Sequence, residues 1–190
     1  LQGERVAGAV GFALPGQQVR VANEDGVVVP AGEVGMIEVA GPNVFRGYWR
    51  MPEKTAEEVR PDGFFITGDL GVQAADGRLS IVGRSKDLVI SGGYNVYPKE
   101  VEVALDEMPQ VAESAVIGVP HPDFGEAVVA VIVPAGDEVT QADVDAALGD
   151  QLARFKQPKR VLNVAELPRN TMGKVQKNLL RDQHGDLFAS

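Results

Sequence analysis

The pattern of apolar residues changes near GRSKD, residues 83–87, and this change most limits the folds open to the chain. Before it, short runs of β-branched residues alternate with glycine turns, and in QVRVANEDGVVV two such runs meet at Asp25-Gly26. After it, apolar residues recur at helical spacing. The sequence therefore predicts an α+β fold, with a β-rich first part and a second part in which helices pack on strands.

The second part contains three predicted helices and two predicted strands. PKEVEVALDEM begins with a proline at a favourable first helical position and predicts a helix over 98–108. Thr140 and Asp143 form the capping pattern of another amphipathic helix. A short basic helix is predicted after Gly173, with Leu179 facing inward. The strands are predicted in VAESAVIGV and EAVVAVIVPA.

Composition argues against several classes of function. Eighteen basic and twenty-seven acidic side chains give a net charge of −9, which disfavours sequence-independent binding to nucleic acid or to anionic lipid. The chain has no cysteine, which excludes thiolate nucleophiles, thiolate metal sites and disulfides from it and fits a reducing, cytoplasmic location. No apolar run reaches the roughly 18 residues of a spanning helix, so we expect no membrane partner.

Two stretches carry side chains suited to a nucleotide or another ligand. Asp69 follows an apolar run in FFITGDLG, and a carboxylate there can accept two hydrogen bonds from a ribose diol or can simply cap a turn. In GRSKDLVISGGYNVYP, the guanidinium of Arg84 suits a ribose or phosphate, and Gly92 and Gly93 allow close approach to a ligand. The alternative for this second stretch is a β-hairpin turn with exposed charges.

A third stretch, LPRNTMGKVQ, places Lys174 in a polar loop. It is no P-loop, because Pro168 and Val175 stand where that pattern needs Gly and Ser or Thr. A cation at a loop tip suits the stabilisation of negative charge that develops on a carboxylate and a phosphate. The alternative is an ordinary exposed lysine.

Other residues of interest favour structural roles. His121 lies between prolines in GVPHPDFGE without a partner nucleophile or metal-ligand spacing, so we predict no metal site. The aromatic residues of GYW, including Trp49, are expected to be buried against the β-rich part.

Taken in order, TGDLG, GRSKDLVISGGYNVYPKEVE, GVPHPDFGE, FKQPKR and LPRNTMGKVQK resemble the carboxyl-terminal part of the acyl-CoA synthetases in the adenylate-forming (ANL) superfamily. Within it, GGYNVYPKEVE and PRNTMGKVQK look most like malonyl-CoA synthetases, which activate small dicarboxylates. The resemblance implies that residues 1–84 are a barrel-like β subdomain of the large adenylating domain. It also implies a hinge at 85–88 and a mobile lid domain at 89–190 with a three-stranded sheet and helices.

The resemblance implies a two-step reaction in fatty acid metabolism. A carboxylate, malonate or a similar acid, reacts with ATP to give an acyl-adenylate, and CoA then displaces AMP. It assigns roles by position: Asp69, Arg84 and Lys174 bind ATP or AMP, Lys174 is also catalytic, Lys86 is the hinge, and Gly92, Gly93 and Tyr94 bind CoA.

Two family features have no match in this sequence: the Ser-, Thr- and Gly-rich phosphate loop, and the Tyr-Gly-x-Thr-Glu stretch with its magnesium-linked glutamate. Together with Leu1, this leads us to expect a missing amino-terminal part of the same enzyme that holds Mg²⁺, and an inactive chain on its own.

Other interpretations stay open at this point. The chain could be a non-catalytic lid module that binds nucleotide or a partner. It could also belong to an adenylate-forming enzyme for a medium-chain or aryl acid, or to a peptide synthetase, although the glycine pair and Lys86 suit the CoA-forming branch better. A further hypothesis is regulation by acetylation of Lys174, because acetylation removes the charge.

Overall fold

The computed structural model describes Val6 and Gly8–Ala189. The chain divides into one unit that ends at Lys86 and another that begins at Asp87. This division lies inside the segment 85–88 that the family resemblance assigns to a hinge, while the hinge role itself stays a prediction. Both units combine helices with β-sheet, which confirms the predicted α+β class.

An antiparallel sheet of five strands forms the first unit, in the order β1-β5-β4-β3-β2. The sheet brings the strand that carries Asp69 beside the one that ends at Arg84. Its elements are β1 (Ala9–Gly11), β2 (Gln18–Ala22), β3 (Val34–Ala40), the helix α1 (Pro52–Glu58), β4 (Phe65–Gln73) and β5 (Leu79–Arg84).

The predicted turn after β2 is present, but the run after it is not a full strand. Gly26 has a φ of 80° in the turn, and Val28 forms only an isolated bridge with Ala22. Val29 still donates a hydrogen bond to the carbonyl of Val21, at 3.0 Å. The next residue, Pro30, has no N–H to continue the ladder, so pairing ends there.

A buried carboxylate lies in the middle of this sheet. Glu38 on β3 is fully buried, and each of its oxygens is 2.7 Å from the Nε of a different arginine, Arg20 on β2 and Arg60. Arg20 also pairs with Asp62 at 2.7 Å and lies over the ring of Phe64 at 3.8 Å. The burial of Glu38 is therefore tolerated because two guanidinium groups satisfy its charge.

The prediction that Trp49 is buried is wrong, because its side chain is 84% exposed. Arg50 takes a left-handed conformation with φ of 55°, and its guanidinium lies 5.5 Å from the centre of the Trp49 ring. The neighbouring Tyr48 instead faces the protein, where it contacts Phe45 edge to face at 5.0 Å. Of the two aromatic residues of GYW, Tyr48 therefore packs on the protein and Trp49 faces solvent.

The second unit contains a mixed sheet of five strands, not the three that the family resemblance implied. The two long predicted strands are present. The other members are the two strands of the short hairpin around the glycine pair and a strand that begins at the last residue of FKQPKR. The strands are β6 (Val89–Ser91), β7 (Tyr94–Val96), β8 (Val111–His121), β9 (Gly125–Pro134) and β10 (Arg160–Asn163). Strand β10 is parallel to β9, and the other pairs are antiparallel.

Helices cover both faces of this sheet, and they are α2 (Pro98–Asp106), α3 (Gln141–Leu148) and α4 (Lys177–His184). Residues of α2 and α3 pack on one face in one hydrophobic cluster, and α4 packs on the other face in a second cluster. Successive residues of β8 belong to different clusters: Val116 lies in the cluster with α2 and α3, and Ile117 lies in the cluster with α4. A strand buried on both faces explains the continuous apolar runs in β8 and β9.

The predicted helix signals are largely confirmed. The helix predicted over 98–108 is α2, and α3 begins with the predicted capping box of Thr140 and Asp143. Hydrogen bonds from the Thr140 side chain and backbone hold the pKa of the Asp143 carboxyl below its ordinary value. The prediction that Leu179 faces inward is wrong, because Leu180 is the buried residue and Leu179 is 43% exposed.

Candidate functional site

A bulge in β4 places Asp69 in the first unit. Met36 and Glu38, two residues apart on β3, pair with residues that are four apart on β4, so 67–69 bulge opposite Ile37. The Thr67 hydroxyl donates to the Ile37 carbonyl at 2.8 Å and accepts from the Asp69 N–H at 3.1 Å. Asp69 is therefore held inside strand β4, and the bulge sets the direction of its side chain.

Asp69 and Arg84 meet across neighbouring strands. The two residues pair directly between β4 and β5, and the Arg84 Nε lies 2.7 Å from Oδ1 of Asp69. The side chains are 26% and 51% exposed, respectively. Among the described residues Oδ2 of Asp69 has no hydrogen-bond partner, so a ligand hydroxyl can reach it. The structure thus brings these two predicted nucleotide-binding residues together.

Lys86 lies between two anchored neighbours in a 3₁₀ turn, Ser85–Asp87. The Ser85 hydroxyl donates to the carbonyl of Gly68 in the first unit, at 3.2 Å. In the second unit, the Asp87 carboxylate accepts from Arg181 at 3.1 Å. Lys86 itself is exposed. Each neighbour is fixed to its own unit, which leaves Lys86 as the residue between the two anchors.

The glycine pair forms the turn of the β6–β7 hairpin. Gly92 and Gly93 have φ values of 58° and 83°, which other residues adopt at a cost in strain. The hairpin alternative is therefore the correct description of the local structure, and CoA binding at this turn stays a prediction. Tyr94 is 60% exposed, and its ring stacks on Phe155 at 4.7 Å between centroids.

Lys174 lies in a short hairpin loop of the second unit. Arg169 and Val175 close the loop as an isolated antiparallel bridge, and Gly173 takes a φ of 77° inside it. The Asn170 N–H donates to the carbonyl of Lys174 at 2.9 Å, and Lys174 is exposed. The tip is thus a hydrogen-bonded turn that presents the lysine side chain to solvent.

Lys174 differs from the other cations around it. Four basic residues occur between positions 169 and 181, and among the described residues Lys174 alone of these four has no carboxylate within ion-pair distance. The other three form ion pairs: Arg169 with Glu113, Lys177 with Glu102 at 2.5 Å, and Arg181 with Asp87 at 3.1 Å. An unpaired, exposed ammonium remains available to an anionic ligand.

The described residues offer no arrangement typical of a metal centre. They contain no group of three or more His, Cys, Asp or Glu placed to hold an ion. His121 accepts a hydrogen bond from the Asp123 N–H at 3.1 Å and packs against Phe124 and Phe188. In the described part of the chain, no helix is long and apolar enough to cross a membrane.

Sequence reasoning missed two features of these sites. Phe155 supports the ring of Tyr94, and the only signal for it was its place in FKQPKR, to which we assigned no role. Asn170 organises the Lys174 loop, and its position four residues before the lysine gave no sign of that. Both roles depend on contacts that appear only once the chain is folded.

Comparison with known proteins identifies relatives that match most of the chain. Residues 100–174 match the family model described as AMP-binding enzyme C-terminal domain, and residues 1–49 match the one described as AMP-binding enzyme. The chain is 46% identical to a feruloyl-CoA synthase of Amycolatopsis sp, over 88% of this chain and 34% of that protein. It is 43% identical to the indoleacetate–CoA ligase of Aromatoleum aromaticum, over 94% and 35%. The chain therefore spans about a third of the length of the curated relatives it matches.

Solved structures give the same picture. ATP-bound MatB from Rhodopseudomonas palustris has 61% identity and a TM-score of 0.93, over 98% of this chain and 37% of that one. The amide bond synthetase McbA from Marinactinospora thermotolerans has 39% identity and a TM-score of 0.86, over 93% and 36%. In both cases the likeness extends to sequence as well as fold.

Proposed function

Because the chain belongs to the AMP-binding enzyme family, we propose that it is the carboxyl-terminal part of an ATP-dependent acyl-CoA synthetase. The observation that carries the proposal is the unpaired, exposed Lys174 at the tip of a hydrogen-bonded loop, beside three cations that are all paired. CoA ligases recur among the relatives, which supports the same activity for the whole protein.

The first half-reaction joins two anions. An oxygen of the substrate carboxylate attacks the α-phosphorus of ATP, the bond from that phosphorus to the bridging oxygen of the β-phosphate breaks, and pyrophosphate leaves. Repulsion between the two anions opposes their approach in a partly dehydrated site. The Lys174 ammonium stabilises the carboxylate and the α-phosphate together as they meet.

The second half-reaction releases the nucleotide. The sulfur of CoA attacks the acyl carbonyl of the adenylate, the bond from that carbon to the phosphate oxygen breaks, and AMP leaves while the thiol loses its proton. We assign Gly92, Gly93 and Tyr94 to the passage for the pantetheine arm of CoA. The glycine turn is free of side chains, and the exposed ring of Tyr94 is supported by Phe155.

The nucleotide is held by the first unit in this proposal. Asp69 accepts hydrogen bonds from the ribose hydroxyls, and Arg84 both orients that carboxylate and assists at the ribose or phosphate. The 2.7 Å contact between them and the free Oδ2 support this assignment. Mg²⁺ would be held by the remainder of the protein, since the described residues fit no metal centre. We propose a cytoplasmic enzyme without nucleic-acid or membrane partners.

Lys86 is the hinge on which the two half-reactions alternate. Lys174 is needed in the first step and the glycine turn in the second, and both belong to the unit that begins at Asp87. The anchors at Ser85 and Asp87 leave the backbone of Lys86 to absorb a rotation.

We expect Lys86→Pro to slow thioester formation by about 10²-fold and to spare adenylate formation, because proline fixes φ and prevents part of the rotation. Single-turnover assays of each step in the full-length protein measure the two effects separately. Lys86→Ala is the control, because it removes the side chain and leaves the backbone free. A CoA step that stays at the wild-type rate in Lys86→Pro would show that the hinge lies elsewhere.

The acyl substrate is proposed to be malonate or a related small diacid. The support is the resemblance of GGYNVYPKEVE and PRNTMGKVQK to malonyl-CoA synthetases, and the chain is also 61% identical to MatB from Rhodopseudomonas palustris, which was solved with ATP bound. We expect the full-length protein to prefer malonate to a medium-chain monocarboxylate by about 10⁴-fold in kcat/KM, because a site built for a second carboxylate leaves its polar groups unpaired with the monoacid. AMP release with ATP and CoA across a panel of acids measures this preference.

The relatives favour one second candidate, an aryl acid as substrate. A feruloyl-CoA synthase and an indoleacetate–CoA ligase are both more than 40% identical to this chain. The same panel, with ferulate and indoleacetate added, separates the two candidates by their kcat/KM values. The intact mass of the natural protein in its source cells then tests the alternative of a non-catalytic lid module: a mass near 20.2 kDa favours the module and a much larger one favours the synthetase.

A further inference from the structure

The side chain of Asn170 organises the backbone of the Lys174 loop. Its Oδ1 accepts hydrogen bonds from the N–H groups of Met172 and Lys174, both at 3.0 Å. The Asn170 carbonyl also accepts from the Gly173 N–H at 2.9 Å, and its N–H donates to the Lys174 carbonyl at 2.9 Å. One residue thus makes four hydrogen bonds within the loop, and two of them end on Lys174.

Arg169 fixes the same loop from outside. Its Nη1 donates to the Gly173 carbonyl at 2.6 Å, and its Nη2 pairs with Glu113 on β8. On the far side of the loop, Lys177 pairs at 2.5 Å with Glu102, which is 7% exposed. Both flanks of the loop are therefore tied by ion pairs to carboxylates of the second unit.

The ends of the loop are also held by packing. Leu167 is 4% exposed and belongs to the cluster on one face of the second sheet, and Val175 packs against that cluster. The N–H of Gln176 donates to the carbonyl of Pro168 at 2.8 Å, just below the Arg169–Val175 bridge. The internal and external constraints on this exposed loop therefore hold the backbone of Lys174 in place.

We infer that Asn170 and Arg169 are positioning residues for Lys174, and that this loop delivers the ammonium as a preformed element. The inference rests on the proposed function of Lys174 and adds that its backbone is fixed before substrate arrives. A charge whose backbone attachment is already fixed needs less reorganisation when the carboxylate and α-phosphate react. Asn170 does not contact the substrate in this proposal; it acts only through the backbone of the loop.

The first test measures the loop itself, without any assay of activity. Hydrogen exchange in the 190-residue chain should show the Met172 and Lys174 amides exchanging about 3- to 10-fold faster in Asn170→Ala, because each loses its acceptor. Asn170→Asp keeps an acceptor oxygen and should restore protection. Asn178→Ala is the matched control, since the exposed Asn178 side chain makes no hydrogen bond in the described part of the chain.

The second test measures the two half-reactions in the full-length protein. Asn170→Ala should lower kcat for adenylate formation by roughly 10²-fold without a matching change in KM for ATP, and leave thioester formation from added adenylate unchanged. Arg169→Lys keeps a positive charge that can pair with Glu113 but loses the second guanidinium donor, which binds the Gly173 carbonyl. This variant should also lower kcat for adenylate formation selectively, by a smaller factor than Asn170→Ala. A purely structural defect would slow both half-reactions and lower Tm.

The outcomes separate this inference from the proposed function. If Lys174→Ala abolishes adenylation while Asn170→Ala alters neither amide exchange nor adenylation, the positioning role is wrong and the function of Lys174 stands. If Lys174→Ala leaves adenylation unchanged, the proposed function of this loop fails and the positioning role fails with it. Faster amide exchange together with a selective loss of adenylation supports both.

Discussion

Lys174→Ala should reduce adenylate formation in the full-length protein by about 10²- to 10³-fold, the effect of removing a preorganised charge from a developing anion. Thioester formation from added acyl-adenylate should change little, because the α-phosphate and the carboxylate are already joined by then. Carboxylate-dependent exchange of pyrophosphate into ATP measures the first step. Rapid mixing of adenylate with CoA measures the second.

A matched lysine gives the control for this experiment. Lys99 is exposed, belongs to the same unit and has no ion pair among the described residues, so Lys99→Ala should leave both steps at wild-type rates. Lys174→Gln, which has a neutral side chain like acetyl-lysine, should reproduce the loss seen with Lys174→Ala. Equal losses in both half-reactions for Lys174→Ala would contradict the assigned role.

The sequence was sufficient to predict features that depend on residues close to one another along the chain. The helix α2 begins at Pro98 as predicted, because proline at a first helical turn needs no hydrogen-bond donor. The capping box of Thr140 and Asp143 satisfies the first N–H groups of α3, as its spacing predicts. The two long strands β8 and β9 were predicted from apolar runs, and these runs are too short to span a membrane.

Features that depend on distant contacts were not predictable. Strand β10 joins the sheet by parallel pairing with β9, about thirty residues away in sequence, and no local pattern specifies that partner. The same holds for the choice of Glu113, Glu102 and Asp87 as ion-pair partners, which leaves Lys174 unpaired. The most informative feature of the candidate site is therefore a property of the folded unit.

Two further errors have local physical causes. The inward face of α4 was assigned to Leu179, but the buried residue of this helix is Leu180, which belongs to the cluster on that side of the sheet. The error is one position, which rotates the predicted face of a helix by about 100°. The bulge before Asp69 was missed because its signal is weak: Gly68, with φ of 75°, is one of many glycines in the β-rich part. The type of side chain at the site was predictable, but its placement in the strand was not.

Glu38→Ala should destabilise the first unit by about 3–5 kcal/mol. It leaves Arg20 and Arg60 next to a buried cavity, without the carboxylate that pairs with both of them. That loss is a large fraction of the 5–15 kcal/mol or so that stabilises a typical domain. Urea denaturation of the 190-residue chain, followed by hydrogen exchange of the amides in β2, β3 and β4, measures the loss in this unit.

Two comparisons identify the cause of that loss. Glu33→Ala, at an exposed position before β3, should cost less than about 0.5 kcal/mol. Replacing all three members of the cluster with apolar residues of similar volume, as in Arg20→Met/Glu38→Leu/Arg60→Met, should recover most of the stability, because no uncompensated charge then remains. If the triple variant is as unstable as Glu38→Ala, an uncompensated charge is not the cause, and the ion pairs of Glu38 with Arg20 and Arg60 themselves contribute the lost stability.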